Sequence, residues 1–246
     1  MNLTFKHGLF LSILIGFLIF LFFFNISVLA PTNLQWILKD SGDLLQHQLG
    51  SFAFRNDTWH FPITKTTNIN YPEGISIVYT DSNLFLSILA KIFKSIFPPE
   101  YQFWGFWYLM CWLLQGLFGY LVVYHLSKDV KYSLLAAILF CLLPTIYHRI
   151  EHSNLLPHWL ILASILIFIK DDYSEKVKTI LFWMLLFFTA MIHAYLLFML
   201  LSIFAVWIIR KYVIDFKSKK LDIANLLLNI GCGIGFILFT WILGYF

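Results

Sequence analysis

One polar stretch of this chain, residues 40–81, brings together side chains that could do chemistry. It reads DSGDLLQHQLGSFAFRNDTWHFPITKTTNINYPEGISIVYTD and contains four of the nine aspartates. A carboxylate can take a proton from a hydroxyl group, and histidine can take or give one near neutral pH. Because long apolar runs flank the stretch, we predict a reaction centre held at a membrane surface.

The composition excludes an ordinary soluble protein. Of the 246 residues, 60% are hydrophobic and 12% are charged, and the apolar runs recur between short charged connectors. Backbone polar groups inside lipid must be satisfied within helices, so the fold class is all-α and polytopic. The net charge of +4 comes from small basic clusters beside apolar runs, where they orient a membrane protein. We therefore expect that the chain lies in a lipid bilayer and has no nucleic-acid partner.

Length and hydropathy predict one transmembrane domain over residues 1–246 with about seven spans. The first span, 9–30, is a signal anchor whose N-terminus lies in the cytoplasm. An outer loop, 31–101, follows it. Six further spans are predicted within 102–246, at 102–126, 132–147, 155–169, two within 179–209 that turn near His193, and one from Leu221.

The outer loop should contain an interfacial helix near 41–54, capped by Asp40 or Ser41. At 100° per residue, one face of this helix carries Leu45, Leu49 and Phe52. Asp43 and His47 fall on the opposite face. This pattern is typical of a helix that lies on the membrane and turns its carboxylate away from lipid.

A second interfacial helix is predicted at 83–97. Fifteen residues make a helix of about 22 Å, which is shorter than a hydrocarbon core of about 30 Å. If this segment does not span, the basic connectors SKDVKY, KDDYSEKVK and RKYVIDFKSKK all fall on the cytoplasmic side, as the positive-inside rule favours. The same parity places the 31–101 loop, the segment HRIEHSN (148–154) and the turn at His193 together on the outer face.

Several motifs carry a family resemblance: SGDLLQHQLG, WHFP, NYPEGISIVYTDS, YQFWGFWYL, LQG and RIEHSNLLPHW. Together they are identified as those of a bacterial multi-pass membrane family catalogued as domain of unknown function 6311. That family resembles the GT-C superfamily of glycosyltransferases, which use polyprenyl-phosphate-linked sugars. The resemblance covers nearly the whole chain, and it implies that the chain is the N-terminal part of a longer protein.

The resemblance implies a glycosyltransferase of the cell inner (plasma) membrane. It would move a sugar from a polyprenyl-phosphate donor to a glycan, lipid or protein acceptor on the outer face. Asp43 is the candidate catalytic base. The guanidinium of Arg149 can clamp a phosphate, with His152 three residues on. The candidate substrate-binding residues are His47, Tyr71, Glu73, Asp81 and His193.

Each of these residues also has a purely structural interpretation. Asp43 could be an ordinary first-turn acid that complements the helix dipole, and Arg149 could extend from a span end to the interface. Asp81 with Ser82 could cap the helix that follows. The aromatic side chains of Trp104, Trp107 and Tyr108 are predicted to form an interfacial belt rather than a sugar platform.

Other functions stay open at this point. The resemblance allows a divalent cation, Mg²⁺ or Mn²⁺. However, Arg149, Glu151 and His152 stand where many GT-C enzymes have aspartate, and no compact ligand spacing supports a site with His158 or His193. The alternatives to a transferase are a non-enzymatic transporter or lipid flippase and an assembly fragment. A transporter should place charges near the bilayer midplane, whereas the charges here concentrate near the span ends.

Overall fold

The computed structural model describes residues 3–39, 42–219 and 221–246. In chain order its helices are α1 (Phe5–Phe23), α2 (Gln35–Leu38), α3 (Asp43–Arg55), α4 (Leu84–Ile92), α5 (Trp104–Ser127), α6 (Val130–Cys141), α7 (Pro144–Tyr147), α8 (Trp159–Ile169), α9 (Glu175–Ala190), α10 (Ala194–Ser218) and α11 (Ile223–Ile242). Two short strands, β1 (Lys65–Thr66) and β2 (Ile75–Ser76), pair antiparallel. Short 3-10 turns lie at Ile26–Leu29 and Ile77–Thr80. The prediction of an all-α polytopic protein is confirmed.

Five stretches among the described residues are long and apolar enough to cross a membrane. They are Phe5–Phe23, Trp104–Ser127, Val130–Tyr147, Ala194–Ser218 and Ile223–Ile242. The chain is thus a multi-pass membrane protein. The predicted number of seven spans also requires α8 and α9, which at 11 and 16 residues reach about 16 and 24 Å, and it stays a prediction.

The first span is displaced from its predicted bounds of 9–30. It begins at Phe5 because Thr4 and His7 form a capping box, in which each side chain satisfies the other residue's backbone N–H. It ends at Phe23 because the side chain of Asn25 accepts from the Ser27 backbone and starts a separate 3-10 turn.

Two other boundaries also differ from the prediction. The span predicted at 132–147 is divided into α6 and α7 before Pro144, whose ring cannot continue a helix. The segment RKYVIDFKSKK is largely helical rather than a connector, since α10 continues to Ser218. An ion pair one helical turn apart, Lys211 Nζ to Asp215 at 2.6 Å, supports this extension.

A stripe of small residues lets α1 and α5 pack closely. Gly8, Ser12 and Gly16 are buried at four-residue spacing on α1. A Cβ atom on Gly16 would lie 2.4 Å from the carbonyl oxygen of Trp112 on α5. Small residues at helix interfaces let two backbones approach in lipid, where apolar surface alone drives no association.

The helix predicted near 41–54 is α3, and its faces divide largely as expected. Leu49 and Phe52 are exposed, as a face toward lipid requires. On the opposite face Asp43 stays partly exposed, whereas the residues after it pack on protein. Gln48 donates to the Tyr101 carbonyl at 3.0 Å and accepts from the Trp104 indole at 2.9 Å. The predicted cap at Asp40 or Ser41 lies outside the described residues, and Gly42 occupies the N-cap position.

The helix predicted at 83–97 is shorter, ending at Ile92 as α4. Its nine residues span about 13 Å, too little to cross a bilayer. Its apolar residues Ile92 and Phe93 are exposed, whereas Ser87 and Lys91 are buried. The Lys91 ammonium donates to the Thr58 carbonyl at 2.9 Å and lies 3.9 Å from the centre of the Phe54 ring. The polar face of α4 therefore packs into the protein.

The segment after α11 docks on the outer loop. The Thr64 hydroxyl donates to the Leu243 carbonyl at 2.5 Å, and the Ile63 amide donates to the Ile242 carbonyl at 3.0 Å. Phe54, Ile77, Leu84 and Leu243 form a small core beneath these bonds. The end of α11 thus lies at the same end of the molecule as the 31–101 loop.

Candidate functional site

The segment 148–154 is held in place by the first turns of α5. The Trp107 indole donates to the Ser153 carbonyl at 2.8 Å, and the Tyr108 hydroxyl donates to the Ile150 carbonyl. Both aromatic side chains are buried, as is Trp104. The interpretation of these three residues as an interfacial belt is therefore wrong, because their polar atoms point into the protein. Trp107 and Tyr108 position the loop, and the Trp104 indole donates to Gln48 of α3.

His152 and Asp43 are in contact. The Nδ1 atom of His152 pairs with a carboxylate oxygen of Asp43, and each side chain is about two-fifths exposed. Asp43 is the first residue of α3, so its carboxylate also lies near the positive end of that helix dipole. Asp43 therefore does more than complement the helix dipole, because its carboxylate joins two distant segments and remains accessible.

His47 is buried one turn along α3, beside this pair. Its Nδ1 atom lies 2.8 Å from the Ser153 hydroxyl. Burial lowers the pKa of His47 to about 4, although the negative charges of Asp81 and Asp43 oppose the shift. His47 is therefore a neutral hydrogen-bonding group at pH 7, and only 3% of it is exposed.

A second carboxylate–histidine pair joins Asp81 and His193. The His193 Nε2 atom lies 3.4 Å from the Asp81 carboxylate, with the histidine buried and the aspartate about half exposed. The hydrogen bond from His193 lowers the pKa of the Asp81 carboxyl, against the effect of burial. The structural alternative for Asp81 is wrong, since Asn83 caps α4 by accepting from the Leu86 amide at 3.1 Å.

The backbone around Asp81 is held in an uncommon conformation. Asp81 has a φ of 50° and Asn83 a φ of 48°, both in the left-handed region that costs energy for residues other than glycine. The surroundings fix this geometry, because the Asn154 amide donates to the Asp81 carbonyl and accepts from Asn83 at 3.0 Å.

Three consecutive residues thus assemble the site. His152 binds Asp43, Ser153 binds His47 and Asn154 binds the backbone of Asp81. We call Asp43, His47, Asp81, His152 and His193 the Asp–His cluster. Sequence reasoning named all five as candidates but missed Ser153 and Asn154. The only feature of the sequence that could have indicated these two residues is their position between His152 and the next predicted span.

Among the described residues, the side chains of three other sequence candidates form no hydrogen bond or ion pair with the Asp–His cluster. The only link within this part of the chain is through the backbone, where the Arg149 carbonyl accepts from the His152 amide at 3.1 Å. Arg149 is exposed on the same loop. Tyr71 and Glu73 are exposed in the turn that joins β1 to β2. The structure places these residues at the site end of the molecule but brings none of them to Asp43.

An open groove of about 490 Å³ adjoins Asp43. Gly42, Asp43 and Gln46 contribute its polar part, and Leu45, Leu49 and Ile69 contribute apolar walls. Leu49 belongs to the exposed apolar face of α3. The groove therefore connects a carboxylate with the exposed apolar face of α3, a shape that suits an amphiphilic molecule.

The sequence profile of one protein family, described as a domain of unknown function, matches residues 13–246. The chain belongs to the DUF6311 family. No curated protein and no solved structure matches the chain. The family prediction made from the motifs is confirmed.

A metal site in this DUF6311 chain would need several donor side chains close together. In residues 3–39, 42–219 and 221–246, no group of three or more His, Cys, Asp or Glu side chains is arranged to hold a metal ion. The cluster histidines are instead engaged with Asp43, Asp81 and Ser153. The described side chains thus do not fit the Mg²⁺ or Mn²⁺ that the resemblance allowed.

Proposed function

We propose that this DUF6311 protein is an integral-membrane glycosyltransferase. It moves a sugar from a polyprenyl-phosphate-linked donor to an acceptor hydroxyl on the outer face of the plasma membrane, with its N-terminus in the cytoplasm. The main support is the placement of Asp43, an accessible carboxylate paired with His152, at the rim of a groove that continues onto the apolar face of α3.

The groove suits a lipid-linked donor because it has two chemical parts. Leu45, Leu49 and Ile69 can contact an isoprenoid chain, while the polar part lies beside Asp43. A polyprenyl phosphate sugar has the same order of parts, with its reacting bond between the sugar and the phosphate. Lipid docking at α3 would bring that bond toward the Asp–His cluster.

Asp43 is the general base in this proposal. The acceptor hydroxyl gives its proton to the Asp43 carboxylate while its oxygen forms a bond to the anomeric carbon. The bond from that carbon to the donor phosphate breaks, and polyprenyl phosphate leaves with the electron pair. The exposed guanidinium of Arg149 balances the negative charge of the leaving phosphate, and His152 is placed to bind the same phosphate. No step in this scheme uses a metal ion.

The other cluster residues position these groups or bind substrate. His47 is a positioning residue, because its bond to Ser153 fixes the segment that carries His152. The exposed Asp81 carboxylate, oriented by His193, can accept hydrogen bonds from acceptor hydroxyls. Tyr71 and Glu73 on the β1–β2 turn are the outermost candidates for acceptor contact.

Asp43→Asn tests the proposal. Purified protein in proteoliposomes is supplied with a panel of polyprenyl-phosphate sugars and with a membrane lipid and glycan extract as the source of acceptor hydroxyls, and release of polyprenyl phosphate is measured by mass spectrometry. Asparagine keeps the size of the side chain but cannot take the proton, so turnover should fall by roughly two to four orders of magnitude. Glu151→Gln, which neutralises the exposed acid next to His152, is the matched control and should leave turnover unchanged.

The rival function, a transporter or lipid flippase, predicts a different outcome in the same vesicles. It would move the donor across the bilayer intact, without release of polyprenyl phosphate. Full activity of Asp43→Asn, or transbilayer movement of intact donor as the sole activity, would contradict the transferase.

A further inference from the structure

A second cleft lies between α8 and α10, toward the end of the helices opposite Asp43. Its first part is an apolar groove of about 330 Å³ lined by Ile165, Phe168, Ser202, Ile203 and Val206. The hydroxyl of Ser202 already donates to the Phe198 carbonyl at 2.9 Å, so it adds no unsatisfied polar group. Val206 is 58% exposed. The groove is therefore open to the surroundings of the helices and suits a hydrocarbon chain.

The groove leads to a charged pocket. Phe168 lines both, and Arg210 follows Val206 by one turn of α10. The pocket, of about 90 Å³, has five charged side chains in its wall: Asp171, Glu175, Lys178, Arg210 and Lys211. Three cations and two carboxylates thus meet at the end of a groove built from apolar side chains.

Two of these cations are unusually buried. Lys178 is 4% and Lys211 is 6% exposed. Lys178 donates to the Phe168 carbonyl at 3.2 Å, and Lys211 pairs with Asp215 at 2.6 Å. A lysine ammonium has three N–H donors, so each can bind a further acceptor. Burial removes these ammonium groups from water, which strengthens their attraction to an anion in the pocket.

We propose that this cleft binds an aminophospholipid, a glycerophospholipid with a phosphoethanolamine headgroup. Lys178, Arg210 and Lys211 bind the phosphate, as basic pockets between membrane helices do. Asp171 and Glu175 bind the ammonium group, and one acyl chain occupies the groove. The two signs of charge in one small pocket match a zwitterionic headgroup better than a purely anionic one. The site is independent of the proposed sugar transfer.

Native mass spectrometry of the purified chain tests this site. Phosphatidylethanolamine and phosphatidylglycerol are offered separately at equal concentrations, and bound lipid is counted. We expect phosphatidylethanolamine to bind at least about fivefold more tightly. Arg210→Gln removes a phosphate contact and Val206→Trp fills the groove, so each should weaken its binding about tenfold. Lys217→Gln and Val213→Trp, at exposed positions of α10 outside the cleft, should not.

The outcomes are decisive in both directions. Loss of phosphatidylethanolamine in both cleft variants and retention in both controls would support the site. Unchanged binding in Arg210→Gln and Val206→Trp would overturn it. Equal binding of the two lipids by the unaltered chain would overturn the assignment of the carboxylates to an ammonium group.

Discussion

The Nδ1 atom of His152 contacts the Asp43 carboxylate and so joins the loop before α8 to the first turn of α3. Neither residue is close to the other in sequence, and both remain partly exposed. In a transferase, the histidine would orient the carboxylate that acts as the base. Removing His152 should therefore impair the reaction without removing the base itself.

The first prediction concerns His152→Gln. Glutamine can still donate to Asp43 but cannot become cationic, so turnover should fall about tenfold or more while the KM for acceptor changes little. His148→Gln, at an exposed histidine on the same loop, is the control. Equal turnover of the two variants would remove His152 from the site.

The second prediction is a pH dependence of stability carried by His47. Burial lowers its pKa to about 4 in the folded protein, compared with about 6.5 in an unfolded chain. The unfolded state therefore binds the extra proton between pH 6.5 and 4. The contribution of the neutral, buried His47 to the free energy of unfolding is fully present above pH 6.5. It is lost as the pH falls, and the free energy of unfolding should be about 2 kcal/mol lower at pH 5.

His47→Gln isolates this effect, because the amide can keep a hydrogen bond to Ser153 but does not titrate. Thermal unfolding in detergent should show a smaller loss of stability between pH 7.5 and 5 for the variant than for the unaltered protein. All other histidines are common to both proteins. Parallel pH profiles would mean that His47 is protonated as easily in the folded state as in the unfolded state.

The third prediction concerns topology. Cys111, Cys141 and Cys232 are replaced, and single cysteines are then introduced at Lys128 and Glu151. A membrane-impermeant thiol reagent added to intact cells should label position 151 and not position 128, because the basic connectors belong inside. The reverse pattern would place the Asp–His cluster in the cytoplasm and exclude an acceptor on the outer face.

The fourth prediction concerns the packing of α1 on α5. Gly16→Ala would place a methyl group 2.4 Å from the Trp112 carbonyl oxygen, so the helices must separate. We expect a loss of about 1–3 kcal/mol in the free energy of unfolding, seen as a lower thermal midpoint in detergent. Gly231→Ala is the control, because nothing lies within 4 Å of its added Cβ. A similar midpoint for both variants would contradict close packing at Gly16.

The arrangement of helices and loops could be predicted in part from the sequence, because it depends on local properties that can be counted along the chain. Apolar length and the clustering of Lys and Arg at alternate connectors predict that the 31–101 loop, His152 and His193 share one end of the molecule. The contacts of Asp43 with His152 and of Asp81 with His193 place them there. Because charged side chains are costly inside the bilayer, an acid and a histidine in separate polar segments both lie near a membrane surface, where they can come into contact.

Other features depend on tertiary contacts that leave little trace in local sequence. Ser153 and Asn154 are ordinary polar residues until α5 positions their backbone, and Trp107 reads as an interfacial residue until its indole is seen to donate to Ser153. The β1–β2 hairpin has two residues in each strand, too few for a periodic pattern. From the sequence, Lys91 would be expected to face solvent. In the structure it is buried, because its ammonium group contacts the Phe54 ring and donates to the Thr58 carbonyl.

The bond from Thr64 to the Leu243 carbonyl has a consequence for biosynthesis. These residues are 179 positions apart, and a ribosome adding roughly 5–20 residues per second needs about 10–40 seconds to translate that interval. The 31–101 loop therefore cannot complete its packing until α11 has been inserted. Throughout that interval its buried Thr64 hydroxyl and Ile63 amide lack their final acceptors. In a nascent chain arrested before α11, this loop should be cleaved readily by added protease, and completion of α11 should protect it.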